Sequence, residues 1–313
     1  MKLSIITINY NNVEGLRKTL ASVALQSYKD IEHIIIDGCS TDGSVETIKE
    51  YVDANPNNDP FFKHTIKWVS EKDNGIYNAM NKGIEIALGR RVVNSFNRSE
   101  LVEDKFNEVD RPKQSGVENK VVPDYIQILN SGDILAAPDV IERIIAEIEK
   151  AEYQEFIYGN MIKYDYASNK IIGKSGDVEY GLLNYYTGTL NHDCCYFRRD
   201  LFNTYGLYDE SLKIVSDWKW FVQAIGLGHV KPEYVNIDVT IFDASGISES
   251  NLEMRNSERR QVLAELLPPA VLADYDAHAF EIEQMNRLRR RHLYGFVYFI
   301  ERVLFKLEKW KIL

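Results

Sequence analysis

Cysteine is scarce, with three in 313 residues: Cys39 stands alone and Cys194 and Cys195 are adjacent. No Cys-x-x-Cys pair occurs, which excludes the common zinc and dithiol motifs and leaves reduced, packed thiols. The phosphate loop Gly-x-x-x-x-Gly-Lys-Ser/Thr is missing, and no Gly-x-Gly-x-x-Gly follows the first apolar run. The usual backbone cradles for ATP and dinucleotides are therefore excluded. Met1-Lys2-Leu3-Ser4-Ile5-Ile6 leads directly into a strand pattern, without the basic, apolar and cleavage regions of a leader, so a cytoplasmic location is expected. Repeats and low-complexity tracts are absent. The formal net charge is −10, and no nucleic-acid partner is expected, yet Gln284–Leu313 holds eight Lys or Arg against two Glu.

What is present reads as alternating strands and helices. Leu3–Ile8 and Glu32–Ile36 are apolar runs of buried-strand type, and Thr65–Val69 is a third short strand. Between them Leu16, Leu20, Val23 and Ala24 recur at helical spacing after Asn12, and Val45, Ile48 and Val52 form the inner face of a second helix. A third helix carries Ile76, Ala79, Met80, Gly83 and Ala87 on one stripe, with Asn78 and Asn81 beside them near the positive end of its dipole. Residues 90–124 mix equal numbers of basic and acidic side chains with little periodicity and read as an inserted surface excursion. The strand Tyr125–Leu129, a helix over Asp139–Lys150, a hairpin within Glu155–Lys174 and a helix from Asp217 to about Ile225 complete the pattern. The fold expected is α/β: a doubly wound, mainly parallel mixed sheet flanked by helices, with an amphipathic helical extension at the carboxyl end. Residues 1–250 form the main domain and 251–313 the helical region.

Polar stations fall at the ends of these elements: Thr7 and Asn9, Asp37, Asp73 and Asp133. Ligands of open α/β sheets bind at the carboxyl ends of the strands, so one rim gathers acids and amides. Acids meet phosphate only through a cation, so a metal-borne nucleotide is the ligand such a rim suits. His192, between Asn191 and Asp193, is a candidate contact to diphosphate, acceptor or metal, though the same setting suits a polar loop residue. Asp217 suits either a helix cap or a proton acceptor.

Five blocks, in order, carry a resemblance: Ser4-Ile5-Ile6-Thr7-Ile8-Asn9-Tyr10-Asn11, Ile34 to Ser44 with Asp37-Gly38 and Asp42-Gly43, Trp68 to Gly83 with Asp73-Asn74-Gly75, Leu129-Asn130-Ser131-Gly132-Asp133, and Ser216-Asp217-Trp218. Together they resemble the family 2 glycosyltransferases of the GT-A fold. The resemblance implies a nucleotide-sugar donor, usually a uridine diphosphate sugar, and transfer with inversion to an acceptor hydroxyl. It implies that Thr7, Asn9 and Asp37 face the nucleoside, that Asp73, Asn78 and Asn81 lie beside the nucleotide, that Asp133 binds Mg²⁺ or Mn²⁺, and that Asp217 is the catalytic base. The family's metal motif commonly holds two acids, whereas here Asn130, Ser131 and Gly132 precede a single one. Two alternatives stay open: an inactive nucleotide-sugar-binding or scaffold subunit, and a nucleotidyltransferase, which would need a basic glycine-rich first loop in place of Asn9-Tyr10-Asn11-Asn12.

The tail 284–313 interleaves Arg302, Lys306, Lys309 and Lys311 with aromatic and aliphatic residues, and its uncharged run Leu293–Ile300 is too short to span a bilayer, which takes ~20 residues. A basic amphipathic helix of this kind lies on anionic lipid. With the resemblance, it implies a lipid-linked saccharide acceptor at the inner face of the membrane. Packing against the main domain, or against a second copy of the chain, is the other reading of the same helix.

Overall fold

The computed structural model describes residues 1–55, 64–93, 124–166, 168–178, 181–243, 251–289 and 294–309. The excursion expected over 90–124 lies, from 94 to 123, outside the described residues.

The first half alternates as the sequence predicts: β1 (Leu3–Asn9), α1 (Val13–Ala24), β2 (Ile31–Asp37), α2 (Ser44–Ala54), β3 (Thr65–Ser70), α3 (Ile76–Ala87) and β4 (Tyr125–Ile128). Each residue of β1, β2 and β4 is buried, because helices cover both faces of a parallel sheet. Asn12 starts α1 by accepting the amide of Gly15 at 3.1 Å, satisfying one of the donors a helix start leaves open.

The second half is more antiparallel: β5 (Ile134–Leu135), α4 (Val140–Lys150), β6 (Phe156–Asp165), β7 (Lys170–Lys174), α5 (Leu182–Thr187), β8 (Cys195–Arg198), α6 (Leu201–Thr204), α7 (Ser216–Phe221) and β9 (Pro232–Asp243). The sequence reading has no strand at β8 or β9. A π-helical turn, Val222–Gly226, continues α7. Three helices follow, Leu252–Leu266, Pro269–Arg289 and Tyr294–Lys309.

Among the described residues one sheet runs β3-β2-β1-β4-β8-β6-β9-β5, with β7 paired to β6 outside that order. β1, β2, β3 and β4 are parallel, while β8 lies antiparallel to both β4 and β6. The path from β4 to β5 is short in sequence, yet β8, β6 and β9 stand between them in the sheet. In a flat sheet that separation would be about 19 Å at ~4.8 Å per strand. The link Leu129–Asp133 is no extended span, for Gly132 sits at φ +109° and the Asp133 amide donates back to the Asn130 carbonyl at 3.1 Å. The sheet therefore curls until β5 returns beside α1.

One core face packs α3, α7 and the helix Leu252–Leu266 against Ile6, Ile34, Ile126 and Phe197. The other packs the isoleucines of α4 against Leu3, Ile5, Tyr125 and Tyr196. Both cysteines of the pair are buried in these cores, and Cys39 is exposed.

Candidate functional site

Parallel strands that stop in register bring their last residues together. Asn9 pairs with Asp37 across β1 and β2, and Asp37 with Ser70 across β2 and β3. Asp37 is fully buried and its carboxylate is saturated: Oδ1 accepts Asn9 Nδ2 at 2.9 Å and Ser40 Oγ at 2.6 Å, and Oδ2 accepts Ser70 Oγ at 2.6 Å and the Ser40 amide at 3.0 Å. Four donors hold this carboxylate in place and shape the floor of the rim. Asn9 Oδ1 is buried without a hydrogen-bond partner. Asp73 stands over the adjoining loop: its Oδ1 accepts the Gly75 amide at 3.0 Å, and a Cβ on Gly38 would lie 2.5 Å from its Oδ2. A side chain at position 38 would have to displace that carboxylate.

Thr7 is placed differently from the sequence expectation. It is fully buried beneath the rim, and its hydroxyl bonds His33 Nε2 at 2.9 Å. His33 in turn meets the Tyr51 hydroxyl at 3.0 Å; burial, helped by the charge of His64, pushes its pKa down to about 3 and keeps it neutral. Asn81 is also buried, with Asn78 half-buried beside it. Asn81 donates to the Tyr208 carbonyl at 2.8 Å and accepts the Tyr208 amide at 2.9 Å, while both asparagines donate to Glu210. They clip the loop before α7 to α3.

That loop delivers Asp217. It opens α7 with a side chain 16% exposed, so it is open to a substrate but shielded from bulk water. Its Oδ1 accepts the Tyr77 hydroxyl at 2.9 Å and its Oδ2 lies 3.1 Å from His192 Nδ1. His192 reaches this rim because β8 runs antiparallel to β4, which puts the short turn before β8 beside the end of β4. On its other side His192 Nε2 lies 3.0 Å from Asn130 Nδ2.

Burial alone would lower the His192 pKa, but the bond to Asp217 and the charges of Asp217, Asp193 and Asp133 outweigh it and hold the imidazole at about 9. The same bond, with that from Tyr77, keeps the Asp217 carboxyl below its ordinary value despite burial. Tyr77 is pushed well up by burial and by Asp217, so its phenol remains a donor. With His192 charged, both ring nitrogens donate; turning the Asn130 amide over then gives Nε2 an acceptor, the Oδ1 that is buried without a partner in the present rotamer. Tyr77 and Asn130 are the site residues to which the sequence reading gives no role. The Tyr77–Asp217 contact spans 140 positions and leaves no local signal.

Asp133 is 5% exposed at the end of its turn. Thr19 Oγ1 accepts the Gly132 amide at 2.9 Å and donates to the Asp133 carbonyl at 2.7 Å, tying the turn to α1. No group of three or more His, Cys, Asp or Glu side chains able to hold a metal occurs among the described residues. One carboxylate fits an ion that arrives already bound by diphosphate oxygens, since Mg²⁺ is ordinarily held by one or two carboxylates plus substrate phosphates and water. Asp133 is the residue that would hold it.

Comparison with known proteins places this geometry. Residues 4–95 match the model of Glycosyl transferase family 2. An uncharacterised glycosyltransferase of Mycobacterium tuberculosis is 24% identical over 299 residues, covering 94% of this chain and 86% of the relative. Staphylococcus aureus TarS 1–349, crystallised with UDP-GlcNAc, superposes with TM-score 0.55 at 16% identity over 84% of this chain and 64% of that one. A mannosyltransferase of Pyrobaculum calidifontis in complex with GDP-Man and Mn²⁺ gives TM-score 0.55 at 13% identity over 89% and 69%. Residues 4–95 are thus similar to family 2 glycosyltransferases, and the fold built around them is of the GT-A glycosyltransferase type.

Proposed function

We propose that the chain transfers a sugar, with inversion, from a nucleotide-sugar donor, a uridine diphosphate sugar foremost, to an acceptor hydroxyl. The observation that supports this best is the hydrogen-bond chain Asn130–His192–Asp217–Tyr77, which ties the turn bearing Asp133 to a partly open carboxylate on another element. Asp217, ionised at neutral pH, takes the acceptor's proton as its oxygen bonds to the anomeric carbon and the bond from that carbon to the diphosphate breaks. Asp37, with Asn9, and Asp73 form the nucleoside end of the pocket; Thr7, Asn78 and Asn81 hold its walls. A divalent cation, Mg²⁺ or Mn²⁺, held by Asp133 would supply charge neutralisation for the departing diphosphate.

The acceptor we infer is a lipid-linked saccharide at the cytoplasmic face of a membrane. Phe296, Phe299 and Phe305 on the helix Tyr294–Lys309 are each 64% exposed, with Arg302 and Lys306 beside them. No helix among the described residues is long and apolar enough to cross a membrane, so this one would lie on it.

The function is tested by thermal shift against nucleotide sugars with Mn²⁺, followed by transfer assays on Asp217→Asn. A donor should raise the unfolding temperature of both proteins, because a ligand that binds only the folded state stabilises it. The variant should lose transfer by roughly 10²- to 10⁴-fold. Transfer at the parental rate would refute the assignment of the base.

A further inference from the structure

On the helix Leu252–Leu266 three charged side chains have found partners. Glu258 accepts the amides of Lys213 and Ile214 at 2.7 and 2.9 Å, Arg260 pairs with Asp276 at 2.6 Å, and Glu265 pairs with Lys219 at 2.9 Å. Arg255 and Arg259 differ. They are half-buried, stand one helical turn apart and have no carboxylate partner among the described residues, and the Nε of each is buried without a hydrogen bond. The Arg259 guanidinium lies 4.9 Å from the centre of the Trp218 ring, and Trp218 adjoins Asp217. Burial and the neighbouring Arg255 charge lower the Arg259 pKa, with Asp217 opposing.

Two like charges half out of water with no carboxylate paired to either are costly, and buried donors without acceptors add to that cost. A stack on an indole face keeps a guanidinium in place but supplies no acceptor. The group that resolves both deficits is a compact anion with several acceptor oxygens, which a pair of guanidinium forks binds in bidentate fashion. We propose that Arg255 and Arg259 form a binding site for a phosphate group of a substrate, beside the carboxylate assigned as base; the role beside that base rests on the function proposed above, whereas the anion site itself does not. The phosphate could come from the acceptor or from the donor's diphosphate.

Calorimetric titration of the full chain with inorganic pyrophosphate in EDTA tests the site, since chelation removes any metal-borne binding at Asp133. The parent and Asp217→Asn should bind. Arg255→Gln and Arg259→Gln should lose at least tenfold in affinity, and Arg259→Lys, which keeps the charge without the fork, should lose part of it. Without ligand, Arg259→Gln should unfold at the parental temperature or above, because it removes the crowded charge; a purely structural arginine would lower it. Repeating the titration with saturating UDP and Mn²⁺ separates the sources: undiminished binding marks an acceptor phosphate, and competition marks the donor diphosphate. Absent binding to the parent, or equal affinity in the glutamine variants, overturns the proposal whatever becomes of Asp217.

Discussion

His192 joins the two halves of the site, and its proton makes that junction dependent on pH. Its folded pKa, about 9, lies above the ordinary 6.5, so the stability it contributes is complete below pH 6.5 and is lost as pH rises through 9. The shift corresponds to about 3 kcal/mol at most. Asp217, shifted the other way, loses its share only in acid, outside that window. Denaturant unfolding at pH 6.5 and 9.5 should show this decline in the parent, and His192→Gln should flatten it. An equal decline in both proteins would place the titrating group elsewhere. At this scale the placement of Asp133 at the end of a polar turn and of Asp217 at the start of a helix is legible from the sequence, because turn residues and a helix start have local signals. The partners of Asp217 are not, since Tyr77 and His192 meet it only after folding. Thr7 shows the limit from the other side: a strand-end position in the sequence does not reveal that His33 takes its hydroxyl.

Elements are positioned by close approach as much as by apolar pattern. A Cβ on Gly83 would lie 2.3 Å from Ile6 Cγ2, so α3 rests directly on β1 and carries Tyr77, Asn78 and Asn81 to the rim. Gly83→Ala should lower stability by roughly 1–3 kcal/mol, the usual cost of overpacking. It should also weaken the hold on Asp217, read as transfer falling more than donor binding. A variant of parental stability would mean that α3 can move away freely. The helices of the first half follow from periodicity and its strands from continuous apolar runs. β9 alternates instead, with Val235, Ile237, Val239 and Ile241 at every second position, and carries no motif. β8 holds only Cys195–Arg198, too short for a period-two pattern to stand out from its surroundings.

Across the whole molecule the two signs of charge are divided along the chain, and the exposed phenylalanines gather with the positive sign. An acidic body carries a basic, aromatic carboxyl end, which the sequence presents as a single helix. The described residues form two, Pro269–Arg289 and Tyr294–Lys309. Flotation with vesicles containing anionic lipid should carry the full chain and leave behind a chain ending at residue 283. Added salt should reduce the binding, because lysine and arginine contacts with lipid are screened. Equal flotation of both forms would remove the membrane from the picture.

The curl of the sheet has a consequence for the turn that would hold the ion. Leu129–Asp133 acts as a strut between β4, inside the parallel half, and β5, which pairs with β9 at the far edge, and α1 braces it through Thr19. A carboxylate mounted on a braced strut surrenders little conformational freedom when a cation arrives, which lessens the disadvantage of having one acid where two are usual.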